Sequence, residues 1–231
     1  MANESAFYNP YSYPVTEKFI SINGEGQRAG QPAVFIRFRR CNLNCSYCDT
    51  RWSCVSNAPC AFLPAEKIVD FIRKSGVHCV TLTGGEPLLQ SHLKELLQSL
   101  SAIRDLHVEI ETNGSLPIRS YCSLSCRPDF TLDYKLPSSG MEKHMLLENY
   151  EYLRPGDTVK FVAGSAEDLL RMEAVNKKYR LDEKCRVLVS PVFGQIDPAE
   201  IVDFLITHHL AEIRLQLQLH KFIWDPDKRG V

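Results

Sequence analysis

Apolar residues along the chain follow two alternating patterns. Runs that repeat every second residue, or that continue without a break, predict strands, and a spacing of three to four predicts helices. The expected strands cover residues 33–39, 78–83, 107–112, 129–135, 157–163, 185–191 and 212–222. The expected helices cover residues 64–76, 91–103, 165–179 and 197–209, the third with Ser165 as its N-cap. Residues 1–16, rich in Tyr, Asn, Ser and Pro, predict an irregular arm.

This order of elements restricts the fold class. Strands that alternate with helices predict a mainly parallel sheet. A closed eight-fold barrel typically needs about 250 residues, and the chain has 231. We therefore expect an α/β fold, a partial (open) TIM-like barrel of about six to seven mostly parallel strands with peripheral helices, formed by one domain over residues 1–231. Ligands of such folds bind at the carboxyl ends of the strands.

Charge and cysteine content narrow the function classes. The chain has 27 Lys and Arg against 28 Asp and Glu, so no overall field attracts nucleic acid or an anionic membrane. No signal peptide is visible, and no apolar run approaches the ~20 residues of a membrane span. A cytoplasmic protein is expected, in which thiols stay reduced. Nine cysteines then indicate metal ligation or catalysis rather than a disulfide framework.

Three of these cysteines, Cys41, Cys45 and Cys48, follow the first expected strand directly. Cysteine thiolates hold iron–sulfur clusters, and three ligands for a cluster of four irons leave one iron open to a small chelating molecule. The alternative is a structural zinc site with a fourth ligand from Cys54 or Cys60. Zinc ribbons usually present two separated cysteine pairs, so the cluster is favoured. Cys54 and Cys60 are then expected to be loop cysteines with no cluster role.

The CxxxCxxC spacing, with Tyr47 just before Cys48, resembles the radical S-adenosylmethionine superfamily. The resemblance implies a 4Fe–4S cluster whose open iron binds S-adenosylmethionine. One electron then cleaves this cofactor to methionine and a 5′-deoxyadenosyl radical. The segment Thr83–Pro87, TGGEP, is by itself equally a plain strand-to-helix turn. Beside the cysteine triplet it looks like the superfamily loop that receives the methionine amino group.

Further polar residues stand on the strands or end them. Glu109 and Glu111 lie on one face of a strand, where ribose hydroxyls or a salt bridge at the rim would satisfy them. The 133–135 segment ends the fourth strand, and Ser190 lies near the end of the sixth. The resemblance implies that S-adenosylmethionine is bound by Tyr47, Cys48, Asp49, Gly85, Glu111, Asp133, Tyr134, Lys135 and Ser190.

Four features narrow the superfamily: the segment Ile22–Gly26, Arg37, the Cys48–Thr50 triplet and the segment Leu219–Phe222. Together they resemble the 7-carboxy-7-deazaguanine synthase family over nearly the whole chain. That family converts 6-carboxy-5,6,7,8-tetrahydropterin to 7-carboxy-7-deazaguanine, releases ammonia and serves the biosynthesis of queuosine and other 7-deazapurines. It is a family of lyases that regenerate S-adenosylmethionine at each turnover. The resemblance also implies a homodimer and an electron donor such as flavodoxin or ferredoxin.

The resemblance to this family also implies roles for individual residues. Arg37 would pair with the substrate carboxylate, or else balance cluster charge. Thr50 would ligate magnesium, or else cap a helix. His220 would contact substrate, or else be a satisfied core histidine. The full set implied to bind substrate is Ile22, Asn23, Gly24, Glu25, Arg37, Thr83 and His220.

Two departures from the family pattern stand out. Asn23 replaces the usual Gln, and the chain runs on from Trp224 to Val231 where the family often ends, with its terminal carboxylate near the substrate.

A small activase that places a glycyl radical on a partner protein is the second functional hypothesis, since it shares the cysteine triplet and the GGEP segment. A zinc-stabilised binding module is the third. Cys185 is expected in the core, and the Cys122–Cys126 spacing is only a weak metal signal.

Overall fold

A computed structural model of the protein describes residues 10–231, and within them one continuous sheet spans the fold. Its strands are β1 (Ser12–Ile22), β2 (Pro32–Phe38), β3 (Ala61–Pro64), β4 (Cys79–Gly84), β5 (His107–Thr112), β6 (Asp129–Tyr134), β7 (Thr158–Ala163), β8 (Arg186–Pro191) and β9 (Ile213–Leu215). The spatial order is β3-β1-β2-β4-β5-β6-β7-β8-β9. The two ends of this order do not pair, so the barrel is partial and open, as expected.

Seven helices accompany the sheet within the described residues. They are α1 (Arg51–Cys54), α2 (Ala65–Ser75), α3 (Leu93–Leu100), α4 (Arg119–Cys122), α5 (Ala166–Tyr179), α6 (Pro198–Thr207) and α7 (His220–Ile223). Short 3₁₀ turns occur at Pro87–Leu89, Pro137–Ser139, Glu142–His144, Leu147–Glu151 and Leu181–Glu183. The Ser165 hydroxyl accepts the Asp168 N–H, which confirms the predicted N-cap of α5. None of the helices between residues 10 and 231 is long and apolar enough to span a membrane.

The parallel part of the sheet forms the barrel wall. Strands β2, β4, β5, β6, β7, β8 and β9 pair in parallel, each with the next. Strand β7 is buried at every position, because both of its faces are covered. Cys185 is also buried and belongs to the apolar core, as expected. Parallel strands place all their carboxyl ends at one rim of the barrel, where the functional residues gather.

The antiparallel edge differs from the sequence prediction. Residues 12–16 were expected to be irregular, but they belong to β1, which pairs with β2 on one side and β3 on the other. The remainder of the predicted arm, residues 1–9, lies outside the described residues. Pairing with two neighbours forms this strand despite Pro14 and the polar residues, because nonlocal hydrogen bonds override weak local propensity.

The predicted strand 212–222 was too long. Strand β9 ends at Leu215, and α7 begins at His220. The cause is a pair of hydrogen bonds in which the Gln216 side chain accepts the Gly26 N–H at 2.7 Å and donates to the Gly26 carbonyl oxygen at 2.9 Å. They draw the chain off the sheet edge and toward the rim. His220 is thereby brought over the barrel mouth.

Candidate active site

A cavity of about 770 Å³ opens at the carboxyl ends of the parallel strands. Its wall combines the cysteine loop after β2, the loop after β1, the ends of β4 to β8 and the carboxyl-terminal segment 226–231. Most of the residues that the sequence analysis selected line this one cavity. The expectation that ligands bind at this rim therefore has a physical site.

Cys41, Cys45 and Cys48 all line the cavity. The loop that carries them begins at Arg40, whose φ of 78° is left-handed and turns the chain across the rim. Gly85 packs against this turn so closely that a Cβ at that position would lie 2.0 Å from the Arg40 carbonyl oxygen. Gly85 is thus required where the GGEP segment meets the cysteine loop, in addition to lining the cavity.

A further thiol, that of Cys54, lies beside the triplet. Its Sγ is 3.9 Å from the Cys48 Sγ, and it also lines the cavity. Hydrogen bonding by this thiol lowers the pKa of both Cys41 and Cys48 to about 6, while the pKa of Cys54 itself is raised. Low-pKa thiolates suit soft metal ions. Cys54 thus lies beside the triplet, whereas Cys60 does not line the cavity, and the expectation that neither has a cluster role stays a prediction.

Glu86 of the GGEP segment is fully buried and braces the rim. Its carboxylate accepts the Thr112 hydroxyl at 2.8 Å, the Leu88 N–H at 2.9 Å and the Asn113 N–H at 2.8 Å. The Asn113 amide in turn donates to the Cys41 Sγ at 3.5 Å. Burial raises the pKa of Glu86 to about 7, against the effect of its three donors. The Glu86 carboxylate thus links the segment after β4 to the end of β5, next to the residue that contacts Cys41.

Charged side chains alternate across the barrel interior. The Asp133 Oδ2 accepts the Lys135 ammonium at 2.6 Å and lies 3.8 Å from the Lys160 Nζ, which is 3.2 Å from the Glu25 Oε2. The buried Asp133 Oδ1 has no partner within residues 10–231. Burial raises the pKa of the neighbouring Glu111. The interior thus holds one carboxylate oxygen without a hydrogen-bond partner in the described residues, beside cations that neutralise the carboxylates.

The residues expected to contact substrate form the opposite wall. Gly24 lies under His220 so closely that a Cβ would come 2.2 Å from the imidazole Nδ1. Burial lowers the pKa of His220. The Arg37 Nε donates to the Glu17 carboxylate at 2.7 Å. The members of the predicted substrate set that line the cavity are Ile22, Gly24, Glu25, Arg37, Thr83 and His220.

Three selected residues do not line the cavity: Asn23, Tyr134 and Ser190. Tyr134 points to the outer face of β6 and donates to the Glu142 carboxylate at 2.7 Å, because alternate residues of a strand face opposite sides. Ser190 donates to the Glu25 Oε1 at 3.3 Å, so it supports the substrate wall. The Asn23 Oδ1 accepts the Thr81 hydroxyl at 3.0 Å, behind that wall.

The remaining loop residues face the cavity. The buried Tyr47 hydroxyl has no hydrogen-bond partner in the described part of the chain. Asp49 forms an ion pair with Lys221 at 3.3 Å, and this cation lowers the pKa of the carboxyl against the effect of burial. Thr50 stands at the N-cap position of α1 without a side-chain cap bond, so its hydroxyl is not used as a cap. Its Oγ1 lies 3.8 Å from the Cys48 Sγ.

The sequence analysis missed four residues of the site: Asn113, Lys160, Gln218 and Lys221. Lys160 was detectable, since alternation along β7 places it on the same face as Val162 of the cavity wall. Asn113 follows the end of β5 directly, a position that the rim rule covers. Gln218 gave no such signal, because the predicted strand there was wrong, and Lys221 belongs to the Leu219–Phe222 segment but was assigned no role.

Comparison with known proteins defines the class. The family description "Radical SAM superfamily" matches residues 35–134, which include the cysteine loop and the GGEP segment. A crystal structure of QueE from Escherichia coli superimposes with a TM-score of 0.69 at 22% identity, covering 89% of this chain and 93% of that one. The fold and the cysteine cavity are those of a radical S-adenosylmethionine enzyme, which uses a 4Fe–4S cluster and S-adenosylmethionine.

Full-length relatives then fix the family. The 7-carboxy-7-deazaguanine synthase of Clostridium acetobutylicum is 47% identical over 95% of this chain and 100% of its own length. That of Chlorobaculum tepidum is 36% identical over 94% of this chain and 96% of its own. The chain belongs to the 7-carboxy-7-deazaguanine synthase family. Membership does not favour the glycyl-radical activase, the second hypothesis.

Proposed function

We propose that this protein converts 6-carboxy-5,6,7,8-tetrahydropterin to 7-carboxy-7-deazaguanine with release of ammonia, as a carbon–nitrogen lyase. One observation carries the proposal: Arg37, Glu25 and Thr50 share a single cavity with the three cysteines of the loop. A cation for a carboxylate, an acceptor for amino groups and a hydroxyl for a hard metal ion therefore surround the place where the radical is generated. The printed names of the full-length relatives support this assignment.

The substrate wall supplies the recognition. The Arg37 guanidinium offers a planar fork to the substrate carboxylate and exchanges its present partner Glu17 for it. The Glu25 carboxylate accepts the guanidine-like nitrogens of the pterin. His220, packed flat on Gly24, and Thr83 close the wall around the ring. Ser190 and Asn23 act from behind, by supporting Glu25 and the loop after β1.

Cys41, Cys45 and Cys48 would hold a 4Fe–4S cluster, and the chemistry that such a cluster would supply is one-electron reductive cleavage of S-adenosylmethionine. Tyr47, Asp49 and Gly85 line the cofactor side of the cavity. The free Asp133 Oδ1 accepts a hydroxyl or ammonium donor of the cofactor, and Glu111 accepts another. The residues proposed to bind the cofactor are Tyr47, Cys48, Asp49, Gly85, Glu111, Asp133 and Lys135.

Magnesium is part of the proposal. Mg²⁺ takes oxygen ligands and keeps several waters, and the Thr50 hydroxyl is not engaged as a helix cap. The Thr50 hydroxyl would be one ligand of the ion, and the ion would supply positive charge for the substrate carboxylate. We further propose a homodimer, and a flavodoxin or ferredoxin as electron donor, from family membership.

Anaerobic turnover tests the function. Protein reconstituted with iron and sulfide, supplied with reductant, S-adenosylmethionine, Mg²⁺ and 6-carboxy-5,6,7,8-tetrahydropterin, is expected to form the deazapurine acid and ammonia in equal amounts. Methionine and 5′-deoxyadenosine formed without the deazapurine would reject the substrate and retain the class. Stoichiometric zinc without sulfide in the isolated protein would reject both. Omission of the pterin is the control for uncoupled cleavage.

A further inference from the structure

Lys160 is a buried cation at the centre of the barrel, and the proposed roles above do not include it. Its side chain is 9% exposed, and its Nζ lies 3.2 Å from the Glu25 Oε2 and 3.8 Å from the Asp133 Oδ2. A buried ammonium is costly unless it is paired, and here two carboxylates pair with it. One of them belongs to the proposed substrate wall and the other to the proposed cofactor wall. Lys160 is therefore the physical link between the two walls.

The substrate-side carboxylate depends on this link. The Glu25 Oε2 is also 3.2 Å from the Gln218 Nε2, and the Oε1 accepts the Ser190 hydroxyl at 3.3 Å. Lys160 is the only charged group among these three donors, and charge-assisted hydrogen bonds are the stronger kind. Glu25 lies on a loop rather than on a strand, so its orientation comes from these contacts. Without the ammonium, a carboxylate in the cavity wall would lack its counter-ion.

The cofactor-side carboxylate depends on it differently. Lys135 and Lys160 both face the Asp133 Oδ2, while the Oδ1 is buried without a partner in the described residues. Lys135 is hydrogen-bonded to this oxygen and Lys160 adds a second, more distant cation, so together they restrain the rotation of the carboxylate. The other oxygen keeps its hydrogen-bonding capacity for a ligand donor. Glu111 is near enough that its negative charge acts on Lys160 as well, and together the carboxylates raise the pKa of Lys160 against its burial.

We propose that Lys160 is a positioning residue that orients Glu25 toward the substrate and Asp133 toward S-adenosylmethionine, so that occupation of either wall strengthens binding at the other. The substrate half of this inference rests on the proposed function, and the cofactor half does not. A ligand that donates to Glu25 tightens its position on Lys160, and the ammonium transmits the change to Asp133 because it contacts both. Removal of the ammonium takes away the cation that Glu25 and Asp133 share, so the two walls lose their common contact.

The test compares Lys160→Met, Lys160→Arg and Lys67→Met, the last an exposed lysine on α2 as matched control. Each reconstituted protein is titrated with S-adenosylmethionine, followed by the change in the electron paramagnetic resonance spectrum of the reduced cluster, without and with the pterin. In Lys160→Met we expect about tenfold weaker cofactor binding, because Asp133 loses one of its two neighbouring cations, and no further gain on adding the pterin. Lys160→Arg should restore part of the affinity, and the control should match the wild type.

The dependence of cofactor affinity on the pterin separates positioning from a merely structural role. In the wild type the pterin should tighten cofactor binding, in Lys160→Met it should not, and in Lys160→Arg part of this gain should return. Unchanged cofactor affinity in Lys160→Met, or equal losses in Lys160→Met and Lys160→Arg, would overturn the proposal. If the wild type forms no deazapurine, the proposed function fails, but the pterin-free titration still decides the role of Lys160 toward Asp133.

Discussion

The Glu86 carboxylate and the Asn113 N–H are joined by a buried hydrogen bond of 2.8 Å. This bond fixes the turn after β5, from which the Asn113 side chain reaches the Cys41 sulfur. The GGEP segment therefore does more than present backbone to a ligand. Its acidic residue, Glu86, positions the Asn113 amide as a hydrogen-bond donor to Cys41, a proposed cluster ligand.

Glu86→Gln should destabilise the rim. One carboxylate oxygen becomes an NH₂ group that cannot accept, so at least one of three buried donors loses its partner, at a cost of about 1–3 kcal/mol. We expect a lower anaerobic melting temperature and lower retention of iron after gel filtration. Glu151→Gln, at an exposed residue of a 3₁₀ turn, is the control. Equal stability and iron content of the two variants would contradict this account.

Stability should fall as pH rises, in part through Glu109. Burial and the neighbouring Glu111 raise the pKa of Glu109 from 4.5 to about 7. The folded protein thus binds more protons than the unfolded chain between these values, and stability decreases with pH across that window. Glu109→Gln should remove this loss, so its melting temperature should drop less between pH 5 and pH 8, by an equivalent of about 1–3 kcal/mol. The exposed Glu212→Gln should keep the wild-type pH dependence.

Arg37→Ala should raise the KM for the pterin about tenfold or more, through loss of a charged partner for the substrate carboxylate, and leave iron content unchanged. Arg39→Ala is the matched control, since Arg39 stacks over Phe62 at 5.4 Å and does not line the cavity. Loss of the cluster in Arg37→Ala would instead assign Arg37 to charge balance. Steady-state kinetics with iron and sulfide analysis on the same samples distinguishes these outcomes.

The response to magnesium should depend on the Thr50 hydroxyl. Thr50→Val keeps the shape of the side chain and removes the oxygen, so stimulation of turnover by Mg²⁺ should be lost. Thr50→Ser keeps the oxygen and should retain it. Because the hydroxyl makes no cap bond to α1, neither change should lower the melting temperature by more than a degree or two. A valine variant that responds to Mg²⁺ like the wild type would remove Thr50 from the proposed metal site.

The barrel wall was predictable because strands buried on both faces appear as continuous apolar runs, as in β7 and β8. The antiparallel edge was not, since β1 is stabilised by pairing with distant residues. The same dependence on contacts between distant residues limits how much of the site the sequence predicts. Alternation along β6 places Tyr134 on the outer face, opposite to Asp133, whereas the family resemblance implied a role for both residues. The contact between Gln216 and Gly26 joins residues 190 positions apart, which no local pattern shows.

The cavity mouth is closed in part by the carboxyl-terminal segment. Residues 226–231 line the cavity, and the Arg229 guanidinium stacks over the Trp52 ring at 4.2 Å. Trp52 lies on α1, next to the cysteine loop. A cation–π contact of this kind contributes about 0.5–2 kcal/mol, so it favours packing of the segment beside the cysteine loop. The residues beyond Trp224 thus form part of the cavity wall, and we expect them to restrict access of oxygen to the proposed cluster site.

Deletion of residues 226–231 should therefore speed the bleaching of the cluster in air. Arg229→Leu should have a smaller effect, about three- to tenfold, which corresponds to loss of the stacking energy. Arg229→Lys keeps a cation over the ring and should lie closer to the wild type. Arg104→Leu, at a 95% exposed arginine, is the control for removing a positive charge. The decay of the visible absorbance of the cluster in aerated buffer gives the rate. Identical decay in the deletion and the wild type would show that the segment does not protect the cluster, and Arg229 would then serve only to anchor the chain end.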